Sequence, residues 1–276
     1  MKNINCKGTL IELSIPKVMG IINVTPDSFY DGGKTFQKKN ILEQAEKMIS
    51  EGATFLDIGG YSSRPDADEV SEEEEIKRVI PAIEAILKEF PEALLSIDTF
   101  RSKVATKAVN TGAAIINDIS GGTLDPEMFK QVSLLKVPYI LMHMRGTPQN
   151  MKTQTNYDNI SKEVLTYFSE KIAKAHKAGI NDIIVDPGFG FAKNAEQNFE
   201  LLNNLELFKS LSAPCLVGIS RKSTIYNTLK VSAEDALNGT TVLHTVALLK
   251  GASILRVHDV KEAKECITLL QNLKTE

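Results

Sequence analysis

The chain has 276 residues, 42% hydrophobic and 24% charged, with a net charge of −3. That size and apolar content allow a large core without disulfides, and the balance of charge excludes a nucleic-acid surface, which would need a basic face. Cys6, Cys215 and Cys266 are odd in number, widely spaced and lack a C-x-x-C pair, which points to a reducing compartment and away from a structural metal.

The opening "MKNINCKGTLIELSI" lacks the charged start, apolar stretch and cleavage site of a signal peptide. No apolar run is long enough to cross a bilayer, so the expectation is a cytoplasmic protein with no membrane partner. Up to about Pro16 the pattern suits a short hairpin or plug. From there, short β-branched runs alternate with helical patterns. "VMGIINV" reads as a strand. It is followed by the polar stretch "TPDSFYDGGK", too long and too polar for a plain connection, and by the helix "ILEQAEKMISEGA". "FLDIG" precedes "SEEEEIKRVIPAIEAILKEF", in which Ser71 and Glu74 resemble a capping box and Pro81 should kink the helix. "LLSIDT" precedes "RSKVATKAVNTGA", and "IINDIS" precedes "PEMFKQVSLLK". "PYILMHM" leads to "ISKEVLTYFSEKIAKAHKAG", and "DIIVDPGFGF" to "AEQNFELLNNLELFKSL". "PCLVGIS" leads, after a longer stretch, to "NGTTVLHTVALLKGA", and "SILRVHD" to "VKEAKECITLLQNL".

Those are eight strand–helix units. Strands that read as continuous apolar runs are buried on both faces, as in parallel sheets. The expected fold is α/β, a TIM (β/α)8 barrel forming a single domain over residues 1–276, with the N-terminal hairpin at its floor. A doubly wound open sheet would want G-x-G-x-x-G after the first strand, which is missing.

In such a barrel the carboxyl ends of the strands share one rim, and here they are polar. They carry Asn23, Asp57, Asp98, Asn117 with Asp118, Asp186, the run Ser220–Ser223, and Arg256, His258 and Asp259. Asp118 and Asp259 read as helix N-caps, and Asp57 as an N-cap or an organiser of the rim. Buried carboxylates need partners, so Asp98 and Asp186 imply a ligand that donates hydrogen bonds. With Asn117 and Lys222 they suit a flat heterocycle with amidine and lactam edges, whose faces Met142, Phe191 and Ile119 would line. Arg256 and His258, two apart on one strand, share a side. With the hydroxyls of "SSRP" they suit an anion. His143, His176 and His244 read as structural, and the Asn23 amide suits Mg2+.

The stretches "MGIINVTPDSFYDGGK", "DIGGYSSRP", "SIDT", "INDISGG", "LMHMRGTPQNM", "DPGFGF", "GISRKS" and "RVHDV", in order from residue 19 to 260, resemble the dihydropteroate synthase family. The resemblance implies condensation of 6-hydroxymethyl-7,8-dihydropterin pyrophosphate with p-aminobenzoate in folate biosynthesis, releasing pyrophosphate. It further implies a homodimer through the last helices, and a sulfonamide target.

Carried over, Asp98, Asn117, Met142, Asp186 and Lys222 bind the pterin. Asn23, Ser63, Arg256 and His258 bind the pyrophosphate, Asn23 also holding Mg2+. Phe29, Arg64, Pro65, Phe191, Ser220 and Lys222 shape the p-aminobenzoate pocket. Asp98, Asp31 and Lys222 act in catalysis, and the loops with Asp31 and "GGYSSRP" close over the site. The family usually has Glu and Thr where this chain has Tyr61 and Ser63; serine keeps the hydroxyl, so anion binding survives, while the loop's packing and its response to sulfonamides are open questions. A pterin-dependent methyltransferase, or a pterin-binding paralogue without catalysis, are the competing readings.

Overall fold

The computed structural model describes residues 3–24, 33–61 and 70–273, the side chains of 33–37 excepted. Strands β1 (Asn3–Cys6) and β2 (Thr9–Glu12) pair antiparallel. Their turn takes φ 52° at Lys7 and 93° at Gly8, the left-handed geometry that matches strand twist in a two-residue hairpin.

The remaining strands are β3 (Lys17–Asn23), β4 (Phe55–Gly59), β5 (Leu94–Asp98), β6 (Ile115–Asp118), β7 (Tyr139–Met142), β8 (Ile183–Asp186), β9 (Leu216–Val217) and β10 (Ile254–Val257). They form one parallel eight-stranded sheet in the order β8-β7-β6-β5-β4-β3-β10-β9. The sheet nearly closes on itself: Val185 bridges Cys215, and the Val185 N–H donates to Pro214 O at 2.9 Å. The barrel expected from the rhythm of the sequence is thus present. Its thinnest stave is β9, where Pro214 lacks an N–H and Gly218 has no side chain to pack.

Around the strands lie α1 (Gly33–Ser50), α2 (Glu72–Glu89), α3 (Ser102–Thr111), α4 (Met128–Leu135), α5 (Ile160–Lys177), α6 (Ala195–Asn203), α7 (Ser223–Leu229), α8 (Leu237–Leu249) and α9 (Val260–Leu273). Ser71 caps α2 by accepting from the Glu74 N–H at 3.2 Å, and the helix runs on through Pro81. Two elements differ from expectation. The run 195–211 divides at Asn203-Asn204 into α6 and a 3-10 helix, Leu205–Leu211. The extra helix α7 holds Thr224, Ile225, Tyr226, Asn227 and Thr228, residues that carry little helical signal of their own. No helix among the described residues is long and apolar enough to cross a membrane.

Side chains alternate along each strand. Outward ones such as Ile22, Ile58, Ile97 and Leu255 fill the layer between barrel and helices. The lower inward ones, including Met19, Phe55, Ile140, Ile184 and Leu216, meet Ile4, Cys6 and Leu13, so the hairpin plugs the floor. The upper inward positions are where the polar residues fall.

Candidate active site

The centre of the mouth is a charge network. Arg256 donates from Nε to Asp57 Oδ2 and from Nη2 to Asp98 Oδ2, both at 2.6 Å. Asn117 Nδ2 donates to the same Asp57 oxygen at 2.9 Å. Asp57 is wholly buried, and a buried carboxylate is tolerated only with such partners. Burial, reinforced by Asp57, Glu75 and Asp118, raises the Asp98 pKa to about 7 against the pull of Arg256. Burial works against the Arg256 guanidinium as well, but Asp57 and Asp98 hold its pKa above the usual value.

A second pair lies across the mouth. Asp186 is buried; its Oδ1 accepts from the Gly188 N–H at 2.8 Å, and burial raises its pKa while Lys222 opposes the rise. Lys222 Nζ donates to Phe189 O at 2.6 Å and stands 4.7 Å from the centre of the Phe191 ring. Burial draws its pKa down to about 8, opposed by Asp186.

The two groups face one space. A Cβ on Gly218 would lie 3.9 Å from Arg256 Cβ, 3.9 Å from Asp186 Oδ2 and 4.0 Å from Lys222 Nζ. Glycine at that point leaves the room between them to a ligand. Gly59 does the same at the rim, where a Cβ would be 3.8 Å from both Asn23 Oδ1 and Asp98 Oδ2. One wall is apolar: Ile119, Met142 and Met144 cluster with Phe191, Tyr61 and Phe100. Tyr61 packs edge-on to Phe100, centroids 5.2 Å apart, and its hydroxyl reaches Asp98 Oδ1 at 3.5 Å.

At the rim, Ser220 Oγ and His258 Nδ1 are 3.1 Å apart, and the His258 N–H donates to Ser220 Oγ at 3.2 Å. Desolvation, then the neighbouring Arg256, push the His258 pKa down to about 4.

Asn23, Asp98, Asn117, Met142, Asp186, Phe191, Ser220, Lys222, Arg256 and His258 therefore all gather at one end of the barrel. Phe29, Asp31, Ser63, Arg64 and Pro65 lie outside the described residues. Asp118 faces away from the mouth: it accepts from the Tyr139 hydroxyl at 2.6 Å and from the Ser120 and Gly122 N–H groups, organising the turn after β6. Asp259 is engaged by Arg221 through two hydrogen bonds, 2.8 and 2.9 Å. The sequence alone leaves Asp57 open between a cap and a rim organiser and gives no sign of Lys193, a buried lysine behind the mouth. The signal for Asp57 was parity, since it shares the inward register of Ser96 and Asp98.

Among the described residues no group of three or more His, Cys, Asp or Glu is placed to hold a metal. The oxygen of Asn23 fits a hard cation that takes its other ligands from phosphate and water, as Mg2+ does.

The pattern of the pterin binding enzyme family matches residues 19–258. The dihydropteroate synthase of Escherichia coli strain K12 is 44% identical over 267 residues, 96% of this chain and 94% of that protein. A structure of Yersinia pestis dihydropteroate synthase with a sulfonamide drug superposes with a TM-score of 0.93 at 40% identity, covering 99% of this chain and 100% of that one. The Xanthomonas albilineans dihydropteroate synthase in complex with 7,8-dihydropteroate gives a TM-score of 0.89 at 37% identity, with 99% of each chain covered.

Proposed function

The chain belongs to the pterin binding enzyme family and makes dihydropteroate in folate biosynthesis, and we propose that it does so by a dissociative substitution joining 6-hydroxymethyl-7,8-dihydropterin pyrophosphate to p-aminobenzoate. What carries this route is the Asp57–Arg256–Asp98 network facing the Asp186–Lys222 pair beside an apolar wall.

Asp98, Asn117, Asp186 and Lys222 hold the edges of the pterin, with Met142 against its face. Asn23, Ser63, Arg256 and His258 receive the diphosphate. The methylene C–O bond breaks, both electrons leave with pyrophosphate, and the dihydropterin ring delocalises the positive charge. Asp98 and Asp31 stabilise that cation electrostatically. The neutral arylamine nitrogen then attacks the methylene carbon and gives up its proton to the released pyrophosphate. Positioning and charge stabilisation are the main catalytic contributions. Asn23 would hold Mg2+ through its amide oxygen, and the ion would there neutralise charge growing on the leaving group. Phe29, Arg64, Pro65, Phe191, Ser220 and Lys222 form the p-aminobenzoate side, where water must be excluded.

Residues 1–276 work as one domain in the cytoplasm. The partner is a second copy docking on the last helices, where Leu249, Leu269 and Leu273 are 66, 68 and 76% exposed; a monomeric mass by light scattering would remove that part. The activity is tested by release of pyrophosphate on adding p-aminobenzoate to the chain with the pterin substrate and Mg2+. Pterin binding without arylamine-dependent release would overturn the route.

A further inference from the structure

The turn that follows β8 is gripped by a lysine the reaction does not use. Lys193 is buried; its Nζ donates to Gly188 O at 3.0 Å and to Phe191 O at 2.9 Å, and lies 3.0 Å from Nδ1 of His143. The His143 carbonyl oxygen stands 3.4 Å away as a fourth acceptor, so every donor of the ammonium has a partner. His143 follows β7, so the contact ties two rim loops together. Burial, then repulsion from Lys193 and Arg145, pushes the imidazole pKa well below its usual value, and because an ammonium has no lone pair, Nδ1 is the acceptor where the two meet.

The gripped segment is contorted. It runs through positive φ at Gly188 (68°), Gly190 (80°) and the non-glycine Ala192 (50°), a conformation that surrounding contacts must enforce. Asn198 Oδ1 accepts from the Gly190 N–H at 2.7 Å, and the Tyr157 hydroxyl donates to Ala192 O at 3.0 Å. Between these anchors stands Phe191, with Lys222 over its ring. Burial draws the Lys193 pKa down to about 7, with Asp186 opposing and Lys222 and Arg145 adding to the fall. An apolar residue of the same length would remove that desolvation cost, so the lysine is better explained by the geometry it imposes than by stability.

We propose that Lys193, seated on His143, is a positioning residue that fixes Phe191 and through it the affinity for the arylamine substrate. This rests on the assignment of Phe191 to the p-aminobenzoate side. Lys193→Met keeps the length and removes the donors. The KM for p-aminobenzoate rises on the order of tenfold, while the KM for the pterin pyrophosphate moves less than about threefold. His143→Leu reproduces that split, and His143→Asn, which keeps an acceptor, restores most of the affinity.

Wild-type turnover is measured alongside. No dihydropteroate from the wild type means the functional reading has failed. Wild-type turnover together with folded variants that keep their arylamine KM, or that lose both substrates equally, overturns the positioning role. If Lys193→Met does not fold, the comparison of His143→Leu with His143→Asn decides by the same criteria.

Discussion

Arg256 and Asp57 meet at the centre of the barrel mouth, 199 residues apart in sequence, with Nε donating to Oδ2 at 2.6 Å. The same carboxylate oxygen accepts from Asn117, and the same guanidinium reaches Asp98. Asp57 is therefore the joint on which the central network turns.

Truncating that joint leaves the buried Asn117 amide without its acceptor and Arg256 with Asp98 alone. Asp57→Ala should lower stability by about 3–5 kcal/mol, the range for breaking a buried ion pair. Asp57→Asn still offers an oxygen and should cost about 1–2 kcal/mol. Urea midpoints at constant m-value measure both. Equal losses in the two variants would show that shape, and not the missing partner, sets the cost.

The acid limb of activity should run against stability. Asp98 moves from 3.8 to about 7 on folding. The folded state thus binds an extra proton between those values. This group's contribution to stability is full below about 4 and lost as pH rises through about 7. Pairing with Arg256 and accepting from a pterin both need the carboxylate, so kcat/KM for the pterin substrate should fall as pH drops below about 7. Asp57→Asn removes a repulsive neighbour and frees Arg256 for Asp98, which should shift that limb to lower pH. A limb that coincides with loss of the fold in parallel urea titrations, or that stays put in Asp57→Asn, would assign it elsewhere.

Much of this site was legible because strand alternation is a rigid rule. Once "SIDT", "IINDIS" and "DIIVDPGFGF" were read as parallel strands, Asp98, Asn117 and Asp186 had to share an end of the barrel. What stayed hidden depends on contacts between distant segments. Nothing near Asp57 in sequence announces Arg256, and Lys193, beside the polar "NAEQ", has the neighbours of a surface residue. Helix α7 has no clear mark in the sequence because it is stabilised by burial of Thr224 and Ile225 and not by propensity.

Base and diphosphate recognition should separate by mutation. Asp186→Ala removes the buried acceptor beside Lys222 and should weaken binding of dihydropterin lacking its diphosphate by roughly 100-fold, about 2.7 kcal/mol. Asn23→Ala lies at the rim and should leave that affinity within about threefold. It should raise the KM for the pterin pyrophosphate by roughly tenfold. Calorimetry on the pterin alone and kinetics on the full substrate distinguish the two. Unchanged dihydropterin affinity in Asp186→Ala would remove that carboxylate from the pterin site.

Gly188 should be the least replaceable glycine of the rim. Its φ of +68° disfavours any side chain, and a Cβ there would lie 2.1 Å from the carbonyl oxygen of His143. That oxygen belongs to backbone held by the His143 N–H donation to Asp186 O at 2.9 Å, so it moves only if β7 and β8 part. Gly188→Ala should therefore cost about 2–4 kcal/mol and raise the KM for both substrates. Gly8 is the control: its φ is +93°, but a Cβ there meets nothing within 4 Å. Gly8→Ala carries conformational strain alone, about 1 kcal/mol, with dihydropteroate formation unchanged. Equal urea midpoints for the two variants would mean that the β7 end yields, and that the turn after β8 is softer than its hydrogen bonds require.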